Sequence, residues 1–130
     1  MTLSAGSQSS TRGREKTTVT RGDVLEVDLE PTQGSEMSKK RPCLVVSNNI
    51  ANRSSPLIVI AAITSQAPKR PYPFIVEIPK SAKMPKTSWV NTAHIRSIDR
   101  QRLTGKYFTS LDQATMRNVD TALRKQLSLT

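Results

Sequence analysis

The folded part of the chain begins its pattern with a strict alternation: Leu25, Val27 and Leu29 against Glu26, Asp28 and Glu30. A period of two predicts a half-buried strand with its carboxylates on the outer face. Pro31 ends it, and residues 32–40, with Gly34, Ser35 and two lysines, predict a loop. Two unbroken apolar runs follow, Cys43-Leu44-Val45-Val46 and Leu57 to Ile63, both short and rich in β-branched residues and therefore predicted as buried strands. Between them, residues 48–56 are dense in turn formers and predict a loop.

Beyond Thr64 and Ser65 the chain is punctuated by proline. Residues 67–73 carry Pro68, Pro71 and Pro73 with Lys69 and Arg70, a stiff basic loop. Phe74 to Ile78, bracketed by Pro73 and Pro79, predicts a short strand of the kind tolerated at a sheet edge. A lysine-rich loop at 80–87 leads to three more short strands, at 88–90, 95–98 and 103–108, the last bending at Gly105. The period then changes. Ser110 with Gln113 matches a capping box, and Met116, Val119, Leu123 and Leu127 recur at helical spacing. Many short strands and one terminal helix predict a mainly β, α+β domain, a small β-barrel or half-barrel spanning 21–130. Residues 1–20, poor in apolar side chains, predict a disordered tail.

Charge then narrows the partner. Twenty Lys and Arg against ten Asp and Glu leave a formal net charge of +10, which suits nucleic acid, an acidic protein segment or an anionic membrane. No apolar run approaches the roughly 20 residues of a membrane span, and no leader resembles a signal peptide, so the expected setting is cytoplasmic with no membrane partner. Cys43, the single cysteine, reads as a small core residue. Arg21-Gly22-Asp23 matches an adhesion tripeptide, which a cytoplasmic chain makes unattractive.

One histidine, His94, rules out a paired-histidine acid–base site within one chain, and one histidine with one cysteine rules out the usual zinc ligand sets. The three carboxylates of the first strand read as a solvated face, not a metal site. No cofactor is implied. There is no glycine-rich phosphate cradle and no nucleophile elbow. What remains is arginine, hydroxyl and backbone chemistry on a cationic surface. Pro42 holds Arg41 extended at the mouth of a buried strand, and a rigidly held guanidinium grips phosphate. Thr64 and Ser65 place two hydroxyls at the end of the next one. RNA carries its own nucleophile, the 2′-hydroxyl, so such a site need only orient it, stabilise charge and move a proton.

Arg21-Gly22-Asp23-Val24, Gly34-Ser35-Glu36, Arg41-Pro42 running into Leu44 to Asn48, Ala62-Ile63-Thr64, and Ile95 to Asp99 with Arg102-Leu103 stand in an order and spacing that resemble the MazF/PemK toxins. The resemblance implies an SH3-like barrel of the CcdB/MazF/PemK kind, working as a homodimer, alone or in a hetero-oligomer with a cognate acidic, MazE-like antitoxin. It also implies a metal-independent, sequence-specific endoribonuclease that cuts single-stranded RNA to 2′,3′-cyclic phosphate and 5′-hydroxyl ends, inhibiting translation. Carried over by position, the catalytic arginine is Arg41 and the catalytic threonine Thr64, expected to face one phosphate-sized pocket. A guanidinium is a poor base, so Arg41 is read as a phosphate clamp. Ser35, Lys40, Arg53, Ser65, Lys69, Arg70, Lys86 and His94 are the expected RNA-binding residues, His94 replacing the glutamine common in relatives.

Two other functions fit the composition. A CcdB-like gyrase poison would act by protein binding and would not need Arg41 and Thr64 together. A non-catalytic RNA-binding barrel would stack bases on aromatic residues, but only 4% of the chain is aromatic and the strands offer no aromatic platform.

Overall fold

The computed structural model describes residues 18–29 and 39–129. Six strands form one antiparallel sheet: β1 (Asp23–Asp28), β2 (Lys40–Val45), β3 (Leu57–Thr64), β4 (Ile75–Glu77), β5 (Trp89–Asp99) and β6 (Leu103–Ser110). Two helices, α1 (Asn49–Ser54) and α2 (Gln113–Leu127), complete it. The strand order is β4-β5-β3-β2-β1-β6. β4 lies at the edge, as its flanking prolines require. Among the described residues no ladder joins β6 to β4, so the half-barrel stays open.

The central strands are apolar throughout because both faces of the sheet are covered. On one face Leu25, Val27, Cys43, Val45, Ile58 and Ile60 form a core that Val19 also enters. On the other, Val24, Leu44, Ala61, Ile63 and Val90 pack with Val119 of α2. Successive residues of β2 thus feed opposite cores: Cys43 the first, Leu44 the second, Val45 the first. Burial pushes the Cys43 thiol up to about 12, against the opposing pull of the Arg96 and Arg41 charges. The thiol is therefore inert core filling at neutral pH.

Four local expectations are corrected. The segment predicted as a loop at 48–56 contains α1, because Asn48 accepts the Ala51 N–H at 2.8 Å as its cap. The buried Asn52 amide donates back to the Ser47 carbonyl at 2.9 Å. The two short strands predicted at 88–90 and 95–98 are one strand, β5, interrupted by a bulge. Ala61 pairs with Ile95 while Ala62 pairs with Asn91, so residues 92–94 have no partner in β3. Ser110 does not cap α2. It ends β6, and Asp112 caps the helix by accepting the Thr115 N–H at 2.8 Å, a bond that holds its carboxyl below the usual carboxylate range. The start of the fold lies earlier than Arg21, since Val19 is buried. The rest of the predicted tail, 1–17, lies outside the described residues.

Arg21-Gly22-Asp23 is architecture. Arg21 binds Asp120 of α2 at 2.8 Å and donates through Nε to the Val46 carbonyl. Asp23 is only 1% exposed, which closes the adhesion reading.

Candidate active site at the mouths of β2 and β3

β2 and β3 pair as Cys43 with Ala62, Leu44 with Ala61 and Val45 with Ile60. Carried on by two residues, that register sets Arg41 opposite Thr64. Directly opposed residues of an antiparallel pair project from the same face, with Cβ atoms about 5 Å apart. The guanidinium is exposed, while β2 is pinned on its other side by pairing Arg41 with Val27 and Pro42 with Glu26. The effect of Arg41 and Arg96 on the Cys43 thiol places both cations near that residue.

Thr64 is half-buried, and its Oγ1 accepts the Gln66 N–H at 3.0 Å. With its acceptor engaged by backbone, the hydroxyl keeps its hydrogen for an incoming acceptor. That is the polarity an anion needs.

Two open clefts flank this point. One, of about 260 Å³, is lined by Arg41, Ser65, Lys86, Ser88, Met84 and Phe108. The other, of about 430 Å³, is lined by Thr64, Gln66, Lys69, Ile75, Asn91 and His94. Thr64 closes β3 and Ser65 begins the loop beyond it, so the two consecutive residues line different clefts. Arg41 and Thr64 therefore occupy adjoining clefts, and the single shared pocket expected from sequence is resolved into two with the strand mouths between them.

The predicted RNA-binding residues sort by this geometry. Ser65 and Lys86 join Arg41, while Lys69 and His94 join Thr64. The β5 bulge carries His94 outward: Thr92 is buried and donates its N–H and hydroxyl to the Phe74 carbonyl at 2.9 and 2.8 Å, so His94, two residues on, is exposed. Lys40 lies beside Arg41, opposite Asp28. Arg70 continues the loop after Lys69. Arg53 stands apart, on α1, which precedes the Leu57 end of β3, whereas Thr64 closes the other end. Ser35 lies outside the described residues. Sequence reading missed Arg96, Asn91 and Gln66. Arg96 was quoted only inside a motif, and its nearness to Cys43 depends on a strand pairing that composition does not reveal.

A curved antiparallel sheet of this order with a C-terminal helix, and a cationic rim at the mouths of its central strands, defines a toxin of the CcdB/MazF fold. Residues 20–127 match the model of the PemK-like, MazF-like toxins of type II toxin–antitoxin systems, and the chain belongs to that family. It is 46% identical over 112 residues to the endoribonuclease EndoA of Bacillus subtilis, a match covering 85% of this chain and 96% of that protein. A mycobacterial endoribonuclease solved in complex with its cognate antitoxin is 31% identical, with a TM-score of 0.72 over 87% of this chain and 98% of that one. The fold is also that of a chain in the MazE–MazF complex of Deinococcus radiodurans, at 23% identity and a TM-score of 0.76 over 88% of this chain and all of that one. No helix among the described residues is long and apolar enough to cross a membrane.

Proposed function

We propose that this chain is the endoribonuclease toxin of its system and cuts single-stranded RNA at the mouths of β2 and β3, in the cytoplasm. The observation that supports the reading is the β2–β3 register, which, continued two residues beyond the Cys43–Ala62 pair, brings Arg41 level with Thr64. Both are donors suited to a phosphodiester. In the step, the RNA 2′-hydroxyl gives up its proton to solvent as its oxygen attacks the adjacent phosphorus and the bond to the 5′-oxygen breaks. A 2′,3′-cyclic phosphate remains, and the departing 5′-oxygen takes a proton from solvent. Arg41 clamps the phosphoryl oxygens as negative charge builds, and Thr64 donates to one of them. Lys69, Lys86 and Lys40 draw the polyanion in, and His94 and Asn91 meet the bases or sugars beside the cut. No role falls to a metal.

The active species is a homodimer. Its regulator is an antitoxin with an acidic segment, to which a net charge of +10 is complementary. The mycobacterial relative, solved with its cognate antitoxin, supports that partner. The gyrase-poison reading has no comparable support, because the relatives above 30% identity are endoribonucleases.

A long single-stranded RNA incubated with the protein in EDTA tests this. The expected result is discrete cuts whose downstream fragments carry 5′-hydroxyl ends, ligatable only after phosphorylation. RNA left intact in EDTA, or 5′-phosphate ends, would overturn it.

A further inference from the structure

The proline-rich loop between β3 and β4 carries a feature that the cutting chemistry does not use. Tyr72 and Phe74 are stacked, with ring centroids 5.5 Å apart and planes inclined by 15°. The Arg70 guanidinium lies over the Tyr72 ring, 6.0 Å from its centroid. Tyr72 is 40% exposed, the one aromatic among the large exposed apolar side chains of the described residues. An exposed ring paired with a second ring and an arginine is poorly explained as core packing.

Its placement is specific. Lys69, just before this ladder, and Ile75, just after it, both line the Thr64 cleft. Below, the Phe74 carbonyl accepts both the N–H and the hydroxyl of buried Thr92. The same bulge therefore anchors Phe74 and sets out His94. Pro68, Pro71 and Pro73 restrict the loop backbone, so little conformational freedom is left to lose when a ligand docks. From sequence an aromatic platform is sought on the strands; this pair of rings lies just before β4.

We infer that Arg70, Tyr72 and Phe74 form a base-stacking subsite that takes one unpaired RNA base next to the scissile phosphodiester. Every base has a π face, and a ring with an arginine over it recognises that face with little regard to sequence. A duplex could not use the subsite, because its bases are already stacked on each other. The inference rests on the proposed ribonuclease reading for its meaning, but the contact itself can be measured apart from cutting.

The test uses single-stranded RNA made uncleavable by 2′-deoxy substitution at the cut, with 2-aminopurine walked through the positions flanking it. The full chain should quench the fluorophore strongly at one position. Tyr72→Ala should abolish that quenching and weaken binding about tenfold, whereas Tyr72→Trp should retain both. With cleavable RNA, Tyr72→Ala should raise KM about tenfold with kcat held, since stacking binds ground and transition states alike. Quenching and binding unchanged in Tyr72→Ala would overturn the subsite even if the wild-type protein cuts RNA. Absence of cutting by the wild-type protein would instead overturn the ribonuclease reading, with the quenching still deciding the subsite.

Discussion

Arg41→Ala is expected to lower the rate of RNA cleavage by at least about a hundredfold while leaving the melting temperature where it was. Three of the chain's arginines are tied into the fold, and Arg41 is not among them. Arg21 is paired with Asp120, Arg100 donates to the Asn52 and Ser55 carbonyls, and Arg102 donates to the Asp28 carbonyl. Those three hold the fold together. Arg41 is exposed on a strand whose backbone is paired to β1, and among the described residues no carboxylate pairs with it. Its backbone is held by the ladder and its charge has no counter-ion among the described residues, which suits the stabilisation of an anionic transition state. Removing it exposes no core and orphans no buried group. Arg41→Lys should recover only part of the loss, since an ammonium cannot grip two phosphoryl oxygens in one plane. Steady-state cleavage of a short fluorescent RNA, with thermal unfolding of the same samples, checks both halves.

Asp23→Ala should do the opposite, costing about 3 kcal/mol of stability and lowering Tm by about 10 °C without touching the site. The Asp23 carboxylate accepts the Thr20 N–H at 3.0 Å and the Ser110 hydroxyl at 2.8 Å. It thus ties the entry of β1 to the end of β6 in a place that is 1% exposed. Alanine removes the buried acceptor that both donors share, and hydrogen bonds to a charged group are the stronger kind. Asp23→Asn, which keeps one acceptor oxygen, should fall between. Circular dichroism melting measures the difference, and a Tm unchanged to within about 2 °C would show that these bonds are replaced by water.

The contrast between these two residues marks where sequence was a good guide. β2 and β3 were legible because a strand covered on both faces shows as an unbroken apolar run, and β4 because Pro73 and Pro79 suit only an edge. The helix α2 was legible from Val119 and its neighbours, but not its first turn. Asp112 competed with Ser110 for the cap, and a spacing rule cannot tell which residue the strand still holds. α1 was hidden because Asn48, Asn49, Ser54 and Ser55 are as common in turns as in caps; only Asn52, folded back onto Ser47, makes them a helix. The joining of two short strands into β5 was hidden for a related reason, since residues 92–94 loop out of register while their flanks continue the same ladder.

The site was legible in parts. Arg41 at a strand mouth and Thr64 at a strand end could be read from Pro42 and from the end of the apolar run. That they stand opposite one another depends on the register of β2 against β3, a three-dimensional fact. The separation of Thr64 from Ser65 into two clefts was not legible, because β3 ends between them and the path of the loop beyond leaves no periodic trace. The aromatic ladder at Arg70, Tyr72 and Phe74 was passed over because it straddles the predicted boundary between the loop at 67–73 and the strand from Phe74, and stacking across such a boundary leaves no periodic trace.

The central claim is that Arg41 and Thr64, though they line adjoining clefts, act on one phosphodiester. A double-mutant cycle on single-turnover cleavage tests it most directly. If the two act as a unit, Arg41→Ala and Thr64→Ala each cost about a hundredfold or more, and the double variant is no slower than the worse single. Losses that multiply in the double variant would mean that the two residues serve separate steps or separate phosphates, and the account of the site would be wrong.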